Sequence, residues 1–150
     1  SPEELMLLPQ TAEYAVRAVL HIAAHQHHGA VRVSDTAATL RVPQNYLSKT
    51  LHQLARAGVL ASTRGPSGGF RLAVPANRIS LDRIISTFAA STERRCLLGS
   101  GVCGETPSCA VHTQWAPIAA QMRDFFGTTT IADLLSAPPS ILRGSSNENA

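Results

Sequence analysis

The sequence lacks any apolar run of the roughly 18 residues that a helix needs to span a bilayer. It also contains no recognisable targeting segment, so we expect a cytoplasmic protein without a membrane partner. No Cys/His/acid arrangement lies in a separate cleft-forming domain, which argues against an enzyme with a nucleophilic cysteine.

Cysteine is absent from the 150-residue chain except for Cys96, Cys103 and Cys109, which lie within fourteen residues. Because the number is odd and no signal peptide is visible, a disulfide framework is disfavoured. Buried cysteines usually act as small core residues, but these three lie in a polar loop that is rich in glycine and proline, with Gly99, Gly101, Gly104 and Pro107 between them. Such a loop can fold closely around a small object.

Thiolates gathered in this way are soft ligands that suit iron–sulfur clusters, Zn²⁺ or Cu(I). His112 follows Cys109 after two residues, so the four side chains could also form a structural Cys3His zinc site. A thiol redox switch without a metal is the remaining interpretation.

Acidic residues are scarce between Val31 and Arg78, where seven basic residues face only Asp35 and give the segment a net charge of +6. A basic patch of this kind is typical of nucleic-acid binding, although it is equally compatible with a solvated basic surface.

Two short helices joined by a tight turn are predicted within this basic segment. Thr11 is expected to cap an earlier helix that ends near His25. The histidines at this end could suggest a metal site, but a frayed, solvated helix end is the favoured interpretation. Ser34 is expected to cap the first helix of the pair, and Pro43 to occupy the first position of the second. Gly58 is expected to end the second helix, which completes a helix-turn-helix pattern.

Polar side chains on the second helix of the pair can reach base edges and phosphates. With Ser34 of the first helix, the candidate DNA-binding residues here are Gln44, Asn45, Tyr46, Ser48, Lys49 and His52.

A β-hairpin is predicted next, with strands at 59–63 and 70–74 joined by a glycine-rich tip. A hairpin after a helix-turn-helix forms a wing, and its glycines let the backbone approach a phosphate chain. The candidate DNA-binding residues of the wing are Arg64, Gly65, Ser67, Gly68 and Arg71.

Apolar residues recur at 4-3-4-3 spacing in the C-terminal region, at Val111, Trp115, Ile118, Met122 and Phe125. This heptad-like stripe predicts a long helix that pairs with a second copy, although it could also be buried within one chain. Pro117 implies that the helix begins just before it or kinks there. Ser80 and Thr130 are expected to cap two further short helices.

The complete set of motifs resembles a family of bacterial winged helix-turn-helix regulators that includes IscR, NsrR, RirA and CymR. The resemblance covers about residues 6–137 and rests on the following segments: Tyr14-Ala-Val-Arg-Ala, Tyr46-Leu-Ser-Lys, Arg64-Gly-Pro-Ser-Gly-Gly-Phe-Arg-Leu, Ile79-Ser-Leu, Cys109-Ala-Val-His112 and Thr130-Ile-Ala-Asp-Leu. The first cysteine spacing has six residues, one more than the IscR pattern.

The resemblance implies a cytoplasmic homodimer that binds pseudo-palindromic, double-stranded promoter DNA. In most members three cysteines hold a 2Fe–2S or 4Fe–4S cluster, whose loss or modification by nitric oxide, redox stress or iron supply changes DNA affinity. His112 matches the IscR histidine ligand, and Glu13 matches the position of an acidic ligand that NsrR-like members donate from the other subunit. Both interpretations stay open, as do a solvated helix-start histidine and a first-turn acid favoured by the helix dipole.

We therefore expect a mainly α-helical fold with a small β-hairpin wing and a long C-terminal dimerisation helix. The winged helix-turn-helix is assigned to residues 6–90, the cysteine loop and dimerisation helix to 91–137, and a disordered tail to 138–150. The expected protein is a transcriptional regulator controlled by an iron–sulfur cluster, and the alternative is a winged-helix DNA-binding regulator without a cluster that is stabilised by zinc or switched by thiol oxidation.

Overall fold

A computed structural model describes residues 8–88 and 112–136 of the chain. In these ranges the secondary structure consists of six α-helices, one β-hairpin and two 3-10 turns. The helices are α1 (Gln10–His25), α2 (Val33–Leu40), α3 (Gln44–Arg56), α4 (Leu81–Phe88), α5 (His112–Thr128) and α6 (Ile131–Leu135). The strands are β1 (Leu60–Thr63) and β2 (Gly69–Leu72), and the 3-10 turns are Gln26–His28 and Ala76–Arg78. The predicted mainly helical fold with a wing is confirmed.

Helix α1 lies at the centre of the core because small and branched apolar residues recur on one of its faces. Five of them are buried: Ala12, Ala15, Ala18, Val19 and Ile22. The three- and four-residue intervals between them place their side chains on one stripe of the helix. Helices α2, α3, α4 and α6 and strand β2 all pack against α1.

The helix-turn-helix is formed by α2 and α3, joined by a turn in which Arg41 adopts a left-handed conformation with φ 57° and ψ 47°. The backbone N–H of Val42 returns to the carbonyl of Ala37 across 3.1 Å. This bond closes the turn and fixes the angle at which α3 leaves α2. A non-glycine residue at positive φ is uncommon and marks a tightly determined position.

Two predicted N-caps are wrong. Helix α1 begins at Gln10 with Pro9 as its N-cap, and α2 begins at Val33 with Arg32 as its N-cap. Pro9 and Arg32 have extended ψ angles of 144° and 143° and make no side-chain cap bond. Extended backbone before the first helical residue is sufficient to start these helices, so Thr11 and Ser34 lie inside their first turns.

Pro43 is the N-cap of α3 rather than its first helical residue, with ψ at 135°. At the other end of α3, Gly58 follows the C-cap residue Ala57 and has φ 81°, which confirms its predicted C′ role. The capping roles of Ser80 and Thr130 are also confirmed. Ser80 Oγ accepts the N–H of Arg83 across 3.2 Å, and Thr130 forms a capping box with Asp133.

The hairpin is antiparallel, with Leu60 opposite Leu72 and Thr63 opposite Gly69. Its strands are shorter than the predicted ranges and begin one residue later in β1 and one earlier in β2. Pairing continues weakly beyond them, because the N–H of Ala73 donates to the carbonyl of Val59 across 3.0 Å.

Helix α5 has Pro117 in its interior, five residues after its first residue, His112. The alternative in which the helix begins just before Pro117 is therefore wrong. A proline at this position removes one N–H donor near the helix start, and the remaining turns of the 17-residue helix continue past it. At 1.5 Å per residue, α5 is about 25 Å long.

The segment that follows α5 is hydrogen-bonded to the segment that precedes α4. The N–H of Leu81 donates to the carbonyl of Thr129, and the N–H of Ile131 donates to the carbonyl of Ile79, each across 2.9 Å. Ile131 is completely buried, so α6 belongs to the same core as α1. The cysteine loop and the predicted tail at 138–150 lie outside the described residues. None of the helices in the described ranges is long and apolar enough to cross a membrane.

Candidate nucleic-acid interface

Helix α3 presents a polar face because its opposite face is fixed in the core. Leu47, Leu51 and Leu54 are completely buried. On the other side, four of the candidate DNA-binding residues are exposed: Gln44, Asn45, Lys49 and His52. Ser48 is half-buried between the two faces. The leucines thus determine which side chains of α3 are available to a partner.

Tyr46, another candidate DNA-binding residue, connects α3 to α1. Its hydroxyl donates to Thr11 Oγ1 across 2.9 Å, and its ring meets the Tyr14 ring edge-on at 6.2 Å between centroids. The Tyr46 hydroxyl therefore already has a hydrogen-bond acceptor within the protein. Its observed contacts hold the first turn of α3 against the start of α1.

His52 connects α3 to the wing. Its ring packs edge-on against Phe70 of β2, with 5.2 Å between the ring centroids. Phe70 is 3% exposed, whereas His52 is exposed. An edge-to-face contact of this kind fixes the distance between the polar face of α3 and the wing.

The wing tip is a tight turn in which the N–H of Gly68 donates to the carbonyl of Gly65 across 2.9 Å. Gly65 has φ 101°, a conformation that L side chains rarely adopt. Arg64, Gly65 and Ser67 are exposed at this tip, and Arg71 is exposed on β2. The side chains predicted to contact DNA from the wing are therefore accessible, and Gly68 is the residue that closes the turn.

The wing is joined to the rest of the domain through Val31. Val31 and Phe70 exchange two backbone hydrogen bonds of 2.8 Å, which adds a third, one-residue strand to the hairpin. Gly69 lies so close to this crossing that a Cβ atom there would collide with the backbone oxygen of Val31. Glycine at position 69 is thus required by close backbone approach.

Arg32 also fixes the wing, and sequence reasoning did not single it out. Its Nη2 donates to the carbonyl of Pro66 at the wing tip across 2.8 Å. The two residues are 34 positions apart in the chain, so no local pattern connects them. In the sequence, Arg32 is distinguished only as one of the seven basic residues between Val31 and Arg78.

The seven basic side chains of the segment from Val31 to Arg78 are all exposed. They are distributed over the entry to α2, the turn, α3, the wing and the second 3-10 turn: Arg32, Arg41, Lys49, Arg56, Arg64, Arg71 and Arg78. Positive charge along both α3 and the wing provides favourable electrostatics for a phosphate backbone.

The residues predicted to bind a metal are only partly described. Glu13 is exposed in the first turn of α1, and His112 is the first residue of α5. Cys96, Cys103 and Cys109 lie outside the described residues. Within 8–88 and 112–136, no three His, Cys, Asp or Glu side chains are gathered closely enough to hold a metal ion.

The predicted dimer stripe on α5 is partly uncovered. Ile118 and Phe125 are 50% and 54% exposed, while Trp115 and Met122 are half-buried. The neighbouring Phe126 packs against the core instead. Large apolar side chains are thus accessible at two stripe positions seven residues apart, on either side of the half-buried Met122.

Comparison with known proteins identifies the family. Residues 8–137 match the Rrf2 family, described as "Iron-dependent Transcriptional regulator". The chain belongs to the Rrf2 family. It is a winged-helix transcriptional regulator related to IscR and CymR, in a family of regulators rather than enzymes.

Individual relatives agree with this assignment. A putative HTH-type transcriptional regulator of Aquifex aeolicus is 35% identical over 134 residues, which cover 87% of this chain and 92% of that protein. IscR of Vibrio vulnificus is 32% identical over 131 residues, which cover 87% of this chain and 78% of that protein.

Solved structures share the fold of this Rrf2 protein. CymR of B. subtilis superposes with a TM-score of 0.77 at 22% identity and covers 88% of this chain and 98% of its own. T. potens IscR superposes with a TM-score of 0.71 at 23% identity and covers 90% of this chain and 89% of its own. The winged helix-turn-helix of this family is a DNA-binding fold.

The Gly69 contact gives a direct test of how the wing is held. Replacing Gly69 with Ala should lower the free energy of unfolding by about 1–3 kcal/mol, because the new methyl group overlaps the Val31 backbone. Urea denaturation followed by circular dichroism would measure the change. Gly127→Ala is the matched control, since a Cβ there meets nothing within 4 Å, and it should leave stability unchanged or slightly raised. Equal stabilities of the two variants would contradict the proposed contact.

Proposed function

We propose that this Rrf2 regulator binds double-stranded DNA with the exposed face of α3 and the wing together, as a homodimer, under the control of an iron–sulfur cluster. The observation that carries the DNA-binding part is the rigid connection between α3 and the wing. His52 packs on Phe70, and Val31 and Arg32 hold β2 and the wing tip. Two exposed, basic elements held at a fixed distance and orientation can contact a rigid DNA duplex at the same time.

The side chains divide into three proposed roles. Lys49 and Arg71 would neutralise phosphates, which contributes affinity without sequence preference. Gln44 and Asn45 at the start of α3 would read base edges in the major groove, where amide side chains can bond adenine with two hydrogen bonds. Arg64 at the wing entrance would reach a neighbouring minor groove, where a narrow A·T tract concentrates negative potential.

The phosphate role of Lys49 can be measured without knowing the promoter. Lys49→Ala should weaken binding to a random-sequence duplex and reduce the slope of log K against log salt concentration by about 1, because one phosphate contact is lost. Fluorescence anisotropy over a salt series would give both quantities.

Arg123→Ala provides the control for this measurement, because Arg123 is an exposed cation on α5 rather than on α3 or the wing. Its salt slope should match that of the wild-type chain. If Lys49→Ala and Arg123→Ala have the same slope, Lys49 does not contact phosphate.

The proposal of an iron–sulfur cluster rests on the metal-ligating residues that the sequence contains. Cys96, Cys103 and Cys109 supply three soft ligands from one glycine-rich loop, and thiolates are the usual ligands of iron–sulfur clusters. Either His112 or Glu13 of the partner subunit would complete the set, since imidazole and carboxylate both bind iron. When bound, the cluster would supply a redox-active centre that oxidants and nitric oxide can modify.

Glu13 and His112 lie on elements through which cluster binding would influence DNA binding. Glu13 lies on the same first turn of α1 as Thr11, which accepts the Tyr46 hydroxyl from α3. His112 begins the helix that carries the dimer stripe. A change in ligation at either residue would act on an element that positions α3 or its symmetry mate.

Metal analysis separates the cluster from its alternatives. Protein purified without oxygen should be brown and contain iron and acid-labile sulfide, and Cys103→Ala should abolish the visible absorption because one of the three thiolate ligands is lost. Glu13→Ala and His112→Ala, compared for iron content, would identify the fourth ligand. Colourless protein whose zinc is lost in the Cys103→Ala variant would favour the zinc alternative, and protein without metal at the cysteines that shows reversible thiol oxidation would favour the thiol switch.

The homodimer is proposed to pair through the α5 stripe that includes Ile118 and Phe125. A two-fold pair of chains would set two α3 helices about 34 Å or more apart and so match a palindromic site. The exposed fractions of Ile118 and Phe125 support this proposal, because each would lose contact with water in the pair.

Charge placed on the stripe should dissociate the dimer. Ile118→Asp would bury an unpaired carboxylate in the interface, so the variant should sediment as a monomer at micromolar concentration while its far-ultraviolet circular dichroism stays unchanged. Ala120→Asp adds the same charge to an exposed position nearly opposite on α5 and should remain dimeric. A wild-type chain that sediments as a monomer would refute the proposal.

A further inference from the structure

A second cluster of titratable side chains lies outside the cysteine loop and the proposed DNA interface. The end of α1 and the start of α2 enclose an open cavity of about 330 Å³. His21, His25, His28 and Asp35 line this cavity together with the backbone that follows Gly29. Three imidazoles and one carboxylate facing the same space are potential metal ligands.

His21 and His25 are already held side by side. They lie one turn apart on α1, and their ring centroids are 4.3 Å apart with 32° between the ring planes. Residues four apart share one face of a helix. The helix itself therefore pre-arranges the two rings at the edge of the cavity.

The hydrogen bonds of the two rings determine which nitrogen of each ring is available. His25 Nδ1 lies 2.8 Å from the backbone oxygen of His21, and a carbonyl oxygen can only accept, so the Nδ1 of His25 carries the proton. In neutral His25 the lone pair is consequently on Nε2.

His21 reaches the same state through Thr36. His21 Nδ1 lies 3.0 Å from Thr36 Oγ1, and the Thr36 hydroxyl donates to the backbone oxygen of Arg32. Because the hydroxyl hydrogen of Thr36 points to that carbonyl, the Thr36 oxygen accepts the Nδ1–H of His21. The lone pair of neutral His21 is therefore on Nε2.

Metal-binding histidines usually donate one ring N–H to a protein acceptor and bind the metal with the other nitrogen. The hydrogen bond orients the ring and fixes the tautomer. His21 and His25 have this arrangement, with Nδ1 bonded to the protein and the lone pair on Nε2. The charge state is also favourable. Burial lowers the pKa of His21, and the neighbouring His25 lowers it further, whereas Asp35 acts in the opposite direction. His21 is therefore mainly neutral near pH 7 and able to bind a cation.

We propose that His21 Nε2 and His25 Nε2 form a binding site for a divalent transition-metal ion of borderline softness such as Zn²⁺. Since no third ligand is already in place in the described ranges, water or a rotated side chain of His28 or Asp35 would complete the coordination. None of the residues of the proposed site belongs to the cysteine loop in the sequence, and the proposal does not depend on the proposed cluster or on DNA binding.

Zinc titration of the full chain would test this site. The three cysteines are replaced by serine in every protein compared, so that thiolates do not compete for the ion. Isothermal titration calorimetry at pH 7.5 should give saturable binding of one Zn²⁺ per chain. Binding should weaken as the pH is lowered, because protons compete with Zn²⁺ for the Nε2 lone pair of His21.

Two variants in this background decide whether the site that includes His25 is responsible. His25→Ala should lower the zinc affinity by at least about tenfold, and because His25 is exposed its circular dichroism spectrum should be unchanged. His27→Ala is the matched control, since His27 is an exposed histidine of the same cluster that does not line the cavity, and it should bind like the parent.

Absence of saturable binding in the parent, a loss smaller than about tenfold in His25→Ala, or an equal loss in His27→Ala would each overturn the proposal. Failure of this test would leave the cluster analysis on the wild-type chain unaffected, because that analysis measures iron and sulfide at the cysteines.

Discussion

The packing of one apolar face of α3 against α1 is the constraint on which the whole interface depends. Leu47, Leu51 and Leu54 are completely buried, and each would cost about 2–5 kcal/mol of stability if reduced to alanine. Because a helix is rigid, their burial fixes the direction of every other side chain on α3. The exposure of Gln44 and Lys49 is thus a consequence of core packing, and the polar contacts between Tyr46 and Thr11 refine the position of the helix start.

The wing depends on the core in a different way. A two-stranded hairpin is marginally stable alone, and this one is held by backbone bonds to Val31, by the Arg32–Pro66 contact and by the packing of His52 on Phe70. Val31 and Arg32 immediately precede α2, so the same short segment starts the helix-turn-helix and holds the wing. Movement of α2 relative to α3 would therefore be transmitted to the wing tip.

The elements that the sequence predicts well are those encoded by local physics. The end of α3 at Gly58, which has a positive φ, and the cap at Thr130 both depend on interactions within a few residues, and the structure confirms both. The family resemblance rested on longer motifs and is also confirmed.

The contacts that sequence reasoning could not find join distant parts of the chain. Arg32 and Pro66 are 34 residues apart, and Tyr46 and Thr11 are 35 apart, so neither pair leaves a periodic signal. The N-caps were wrong for a related reason. Thr11 and Ser34 are good capping residues, but the extended backbone at Pro9 and Arg32 starts each helix earlier. The assignments of the DNA-binding, metal-binding and dimer residues stay predictions.

Chemical-shift mapping of the amide signals during titration with a random-sequence DNA duplex would show whether α3 and the wing bind DNA together. If α3 and the wing bind DNA as one rigid surface, the largest shifts will fall together on residues 44–52 and 64–71 and will saturate at the same DNA concentration. Shifts confined to α5 and α6, or separate saturation of α3 and the wing, would contradict that claim.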